Sequence, residues 1–235
     1  VISNPSFGCL VTESGASYTW AGNSRENRLS PWSNDPVEDP LHEVLYIRDR
    51  VEGVCWSPTP RPFKTTQRVR VKHSFGYSEF TTQVNRIFSH LTISVAHAEP
   101  VKWWHLELVN GDAVKRNLEI FLYVEWVLGV NREDTFRYLQ SGFDQERQFL
   151  FATNPFNPSV PEQVVFLGSN LNISTYTSDR HEFLGRHRDI STPQALEAAY
   201  SGYMFGDWFG SGRELPVNLS CKTGAGFDSC ALLKV

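Results

Sequence analysis

The sharpest pattern in the chain is a strict alternation. Leu118, Ile120, Leu122, Val124, Trp126 and Leu128 recur at period two, opposite Glu119, Phe121, Tyr123 and Glu125. A helix would scatter these residues around its circumference, whereas a strand puts each set on one face. The run 101–109 precedes it through Asn110-Gly111-Asp112, which predicts a hairpin with a loop longer than the tightest kind. Ile87, Leu91, Ile93 and Val95 share one face of another long strand, with His90, Thr92 and Ser94 on the other. Tyr77 to Val84 precedes it after a break at Gly76. Between Gln67 and Lys72, Val69 and Val71 alternate with Arg68, Arg70 and Lys72, the signature of a half-buried strand.

The remaining segments are shorter. Residues 1–20 read as extended pieces broken at Asn4-Pro5 and Ser14-Gly15. Glu43 to Arg48 reads as a buried strand, and prolines 58, 60 and 62 stop any ladder beyond Trp56. Asn131 to Gln148 loses the alternation and predicts an excursion with one helical turn. Phe149-Leu150-Phe151 then meets the turn cluster 154–158, before Gln163 to Leu167 and Asn170 to Thr177 resume as strands. Thr192-Pro193 opens the best candidate for a short helix, over 194–200. Asp228 to Val235 reads as a last strand that stops in mid-pattern. The sum is an all-β, sheet-rich chain with few short helices, long enough for one large sandwich or barrel or for two small domains.

One stretch fits no strand. Tyr18 to Pro36 gathers two tryptophans, two arginines, two carboxylates and three asparagines around a glycine and two prolines. A pyranose offers an apolar face that lies on an indole and a hydroxyl edge that suits Arg and Asn. Trp20 or Trp32 would be the platform, with Asn23, Arg25, Asn27, Arg28, Asn34 and Asp35 reading hydroxyls. In the alternative, Trp32 plugs the core while Arg25, Glu26, Arg28 and Asp35 brace a rigid corner. A second aromatic and glycine-rich stretch, Tyr200 to Gly212 around Asp207, reads either as another platform or as a loop packed on a sheet.

Composition narrows the partners. Of 235 residues, 40% are hydrophobic and 20% charged, the balance of an ordinary globular protein, and the 13% aromatic share suits broad sheets. A net charge of -4 without any Lys/Arg cluster leaves no electrostatic footprint for nucleic acid or anionic lipid, so neutral partners such as sugars fit better. The longest apolar run, 120–130, is interrupted by Glu125 and far too short for a bilayer. The chain opens at Val1, which we read as an excerpt of a longer protein. Cys9, Cys55, Cys221 and Cys230 form no metal-type pair. Four free thiols are expected, with a Cys221–Cys230 bridge across a hairpin as the alternative.

Catalytic motifs are missing: no phosphate loop, dinucleotide fingerprint, nucleophile elbow or zinc helix occurs, and no metal or catalytic residue is assigned. His73 and His105 read as hydrogen-bonded sheet histidines. Glu107, Glu125 and Asp207 are the carboxylates least typical of a solvated face, and sequence does not give their separation.

The wording itself is informative. Tyr18-Thr19-Trp20, Asn23-Ser24-Arg25-Glu26-Asn27-Arg28-Leu29 and Pro31-Trp32-Ser33-Asn34-Asp35-Pro36 closely resemble the N-terminal β-domain of family 94 glycoside phosphorylases, formerly glycosyltransferase family 36. Tyr46-Ile47-Arg48-Asp49, Trp56-Ser57-Pro58, His73 with Gly76-Tyr77, residues 123–129, Asn154-Pro155-Phe156 and residues 224–228 agree in order. The likeness is strongest to the cyclic β-1,2-glucan synthase and β-1,2-oligoglucan phosphorylase branch. The Tyr200 to Gly212 stretch departs from it.

The resemblance implies a β-supersandwich like that of galactose mutarotases, here one domain over 1–235. A separate (α/α)6 catalytic barrel, absent from this sequence, would follow. It implies inorganic phosphate as co-substrate of the whole enzyme, a general acid on the barrel, and no cofactor. It further implies a β-glucan oligosaccharide as ligand, a homodimer, and a place in the cytoplasm or on the cytoplasmic face of the inner membrane. On that basis the chain is a non-catalytic domain that contributes loops to a substrate cleft and a surface to a dimer. A self-sufficient carbohydrate-binding module and an aldose-epimerase-like enzyme are the alternatives.

Overall fold

A computed structural model describes residues 1–63, 68–198, 217–225 and 228–235. In chain order the strands are β1 (Ile2–Ser3), β2 (Phe7–Val11), β3 (Ser17–Ala21), β4 (Glu43–Asp49), β5 (Val54–Trp56), β6 (Arg70–Ser74), β7 (Tyr77–Val84), β8 (Ile87–Val95), β9 (Lys102–Asn110) and β10 (Leu118–Glu125). After the helical turn α1 (Arg132–Thr135) come β11 (Gln140–Asp144), β12 (Phe149–Thr153), β13 (Val164–Gly168) and β14 (Thr175–Asp179). Short helices α2 (Arg180–Leu184) and α3 (Gln194–Ala198) precede β15 (Ser229–Lys234). The Tyr200 to Gly212 stretch, with Asp207, lies outside the described residues.

The centre is a five-stranded sheet in the order β14-β15-β10-β4-β5, every neighbouring pair antiparallel. Covered on both faces, it buries both sets of alternating side chains. Leu45, Ile47, Leu118, Ile120 and Leu122 pack beneath the four-stranded sheet β6-β7-β8-β9. Val124, Ala231 and Leu233 meet residues of β12 and β13 in the sheet β11-β12-β13, together with Phe7 of β2 and Leu29. On the opposite face Tyr46, Phe121, Tyr123 and Leu232 pack against Phe183 and Leu184 of α2, Leu196 of α3, and Val217 and Leu219. This layering is an all-β sandwich with three short helices among the described residues; the patterns predicted the strands and the resemblance implied the sandwich.

One pairing differs from expectation. β9 and β10 do not form a hairpin: β9 is the edge strand of the four-stranded sheet and β10 is central in the five-stranded one. Both still turn apolar faces to each other, Trp104, Leu106 and Leu108 from β9 and Leu118, Ile120 and Leu122 from β10. Alternation fixes a strand's two faces but says nothing about whether a neighbour joins at its edge or across the core. The crossover is held by Arg116, whose guanidinium reaches Asp49 at 3.0 Å, Glu52 at 2.7 Å and Asp112 at 2.8 Å. The excursion after 131 contains its helical turn, but also the strand β11, which the loss of alternation concealed.

Candidate functional site

The polar loop between β3 and β4 is built on a stack of three rings. Tyr18 is buried, with Trp32 stacked on it at 4.8 Å between centroids and Trp20 tilted against it at 5.1 Å. Both indoles are half-buried. Gly8, on the neighbouring strand, leaves room for Trp20: a Cβ there would sit 2.5 Å from Trp20 Cζ2. Burial pushes the Tyr18 phenol up, against the opposing pull of Arg28 and Ser24.

The loop's backbone is fixed by its own side chains. Asn23 Oδ1 accepts from the Arg25 and Glu26 amides at 2.9 and 3.0 Å, closing a turn after Gly22, whose φ is +69°. Buried Asn27 donates from Nδ2 to the Ala21 carbonyl at 2.8 Å. Arg28 bridges Trp20 on one side and Gly129 on the other through its backbone. Asp35 Oδ1 accepts from the Val37 and Glu38 amides at 2.9 and 3.0 Å, and these bonds to the anion hold its carboxyl below the usual range. Asn23, Arg25 and Asn34 are exposed, and Arg25 lies 3.3 Å from Glu26.

The eight candidate residues therefore divide by surroundings. Trp20 and Trp32 share the ring stack, Asn23, Asn27 and Asp35 shape the backbone with their side chains, and Arg28 lies beside the phenol of the stack. Arg25 and Asn34 face solvent. The loop thus presents half-buried indoles, the apolar platforms a pyranose needs, with polar side chains near them.

Two buried carboxylates anchor the loop, and sequence reasoning missed how. Glu43, at the start of β4, accepts from Thr19 Oγ1 at 2.7 Å and Ser17 Oγ at 2.5 Å, and also from Ser30 Oγ and Lys102 Nζ. Burial alone would raise its pKa, but the Lys102 ammonium and the hydroxyl donors outweigh that and hold it at about 2. Glu125, at the end of β10 and on the opposite face of the sheet, accepts from Tyr123 Oη at 2.8 Å and Arg180 Nε at 3.0 Å and lies 2.9 Å from His42 Nδ1. Burial again works upward, and His42, Arg132 and Arg180 hold the carboxyl at about 2. Asp228 closes the cluster by pairing with Arg132 and, at 3.6 Å, with Arg180. Glu125 stood out in the sequence as a carboxylate amid a buried alternation; the same signal was present at Glu43, which opens an apolar run, but nothing local points to Lys102 as its partner. Glu107, by contrast, is exposed, 3.0 Å from His105.

Among the described residues no group of three or more His, Cys, Asp or Glu is arranged to hold a metal ion, and Cys9, Cys55, Cys221 and Cys230 form no disulfide. No described helix is long and apolar enough to cross a membrane.

A family model described as glycosyl hydrolase 94, supersandwich domain, matches residues 1–208. The chain belongs to this family. The cyclic beta-(1,2)-glucan synthase NdvB of Rhizobium meliloti (strain 1021) is 34% identical over 197 residues, covering 83% of this chain and 7% of the synthase. The N,N'-diacetylchitobiose phosphorylase of Vibrio proteolyticus is 22% identical, covering 81% of this chain and 25% of that protein. The solabiose phosphorylase of Paenibacillus borealis is 26% identical over 66% of the chain and 21% of its own length. The chain thus spans a quarter or less of these relatives.

Proposed function

We propose that this chain is the non-catalytic β-domain of a β-1,2-glucan phosphorylase or cyclic β-1,2-glucan synthase, contributing its 23–35 loop to a substrate cleft completed by a separate catalytic domain. The observation that carries the reading is the 34% identity to a cyclic β-(1,2)-glucan synthase across 83% of the chain. The braced ring stack supports it. A loop whose shape is set before ligand arrives loses little entropy on binding, so its indoles act as fixed platforms. In this reading Trp20 and Trp32 stack on sugar faces, while Arg25, Arg28 and Asn34 reach hydroxyls. Asn23, Asn27 and Asp35 hold the loop in shape.

The chemistry belongs elsewhere in the enzyme. Phosphate enters as co-substrate at the catalytic domain, an (α/α)6 barrel that supplies the general acid. The β-domain also provides a surface for a homodimer, and the enzyme works in the cytoplasm or on the cytoplasmic face of the inner membrane. The test is kinetic. In the whole enzyme, Trp32→Ala should raise KM for β-1,2-gluco-oligosaccharides by about tenfold, the equivalent of ~1.4 kcal/mol, with a smaller effect on kcat. Unchanged kinetics in Trp32→Ala and Arg28→Ala would remove the loop from the cleft.

A further inference from the structure

The four-stranded sheet carries a second concentration of sugar-compatible chemistry on its outward face. Pleating turns Phe80, Leu91, Ile93 and Leu106 into the core, so the alternate residues face away from it. The registers align Arg70, Thr81, His90 and Glu107 in one row across all four strands, and Lys72 and Glu79 in the next. A cavity of about 340 Å³ lies over these rows, lined by Arg70, Lys72, Glu79, Thr81 and His90. The His90 ring is held on both edges, Nδ1 3.1 Å from Thr81 Oγ1 and Nε2 3.3 Å from Thr92 Oγ1.

Aromatic rings bracket this polar centre. Trp103 is 58% exposed and Phe88 44%. Trp103 pairs with Ser94 near one end of the sheet, and Phe88 with Val109 near the other. The two rows are six positions apart along β9, ~20 Å at ~3.4 Å per residue. Two cations, Arg70 and Lys72, are matched by two carboxylates, Glu79 and Glu107, so the face has no net sign to attract an anionic polymer. Its exposed rings are separated by polar rows rather than gathered into the continuous apolar patch that a protein partner favours. Separated stacking platforms with hydrogen-bonding groups between them suit a neutral polyhydroxyl chain.

We infer that the outward face of the β6–β9 sheet holds a neutral gluco-oligosaccharide, stacked on Trp103 and Phe88 and hydrogen-bonded to the Thr81 and Thr92 hydroxyls that His90 orients and to the charged groups beside them. This surface is separate from the β3–β4 loop and does not rest on the loop's role. The experiment titrates β-1,2-gluco-oligosaccharides calorimetrically into the protein, its Trp103→Ala and His90→Ala variants, and Trp32→Ala. Oxidative footprinting of Trp103 with and without sugar runs alongside, as does sedimentation of every variant.

The expected result is a binding component that Trp103→Ala and His90→Ala weaken by about tenfold or more, that Trp32→Ala leaves in place, and that protects Trp103 from oxidation. Trp103 is exposed, so its loss leaves the fold intact, and an unchanged thermal midpoint verifies this. Binding that only Trp32→Ala reduces, or no protection of Trp103, overturns the inference. A change of oligomeric mass in Trp103→Ala with sugar binding unaltered also overturns it, showing that the face joins copies of the chain.

Discussion

His42 Nδ1 lies 2.9 Å from Glu125 Oε2, while the next residue, Glu43, takes Lys102 on the opposite face of the sheet. Two successive residues at the end of the polar loop thus enter two separate buried charge clusters, one on each side of β4. The loop's exit is fixed in position and rotation, because a shift that relaxed one cluster would break the other.

Removing one partner of a buried pair leaves an unpaired charge in a dry place. Lys102→Ala should therefore lower unfolding stability by roughly 3–5 kcal/mol, read from urea denaturation midpoints. It strips Glu43 of its cation while Ser17, Thr19 and Ser30 still donate to it. A loss under ~1 kcal/mol would mean that the pair behaves as if solvated.

Acid should weaken the fold through the same carboxylates. Glu43 and Glu125 have folded pKa values of about 2 against 4.5 in the unfolded chain. Their contribution is complete above the unfolded value and is lost as pH falls from there through the folded value. Denaturation midpoints measured from neutral pH downward should stay level until about 4.5 and then fall toward 2, with Glu125→Gln showing a shallower decline from a lower start. A Glu125→Gln profile parallel to that of the parent would remove Glu125 from the acid response.

Gly8→Ala tests the ring stack from behind. The added Cβ would meet Trp20 Cζ2 at 2.5 Å and Ser3 Cβ at 2.8 Å, so the indole must move. We expect a loss of roughly 1–3 kcal/mol and a changed near-ultraviolet circular dichroism spectrum. Wild-type stability with an unchanged spectrum would show that the strand yields instead.

Much of this architecture is legible in the sequence, and what is not has physical reasons. β7 and β8 were evident because a half-buried strand writes its two faces into alternate letters. The central strand β10 is equally clear, and Glu119, Phe121 and Tyr123, opposite its aliphatic set, are buried beneath α2 and α3 or ion-paired there. Helix α2 escaped notice because five residues hold too little period to register, and its N-cap, Asp179, is a single hydrogen bond to the His181 amide. The pairing of β9 with β8 alone, and the reach of Lys102 to Glu43 and of Arg180 to Glu125, are contacts between distant parts of the chain that no local pattern encodes. In the loop, residue types suggested sugar chemistry, but only the structure separates Asn27 and Asp35, which hold the backbone, from Arg25 and Asn34, which face solvent.

The most direct measurement is calorimetric titration of β-1,2-gluco-oligosaccharides, with β-1,4 oligomers as control, into the whole enzyme and its Trp32→Ala variant. The account predicts selective β-1,2 binding that Trp32→Ala weakens by about tenfold without a change in fold. Equal affinity for both linkages, or β-1,2 binding untouched by the substitution, would contradict it.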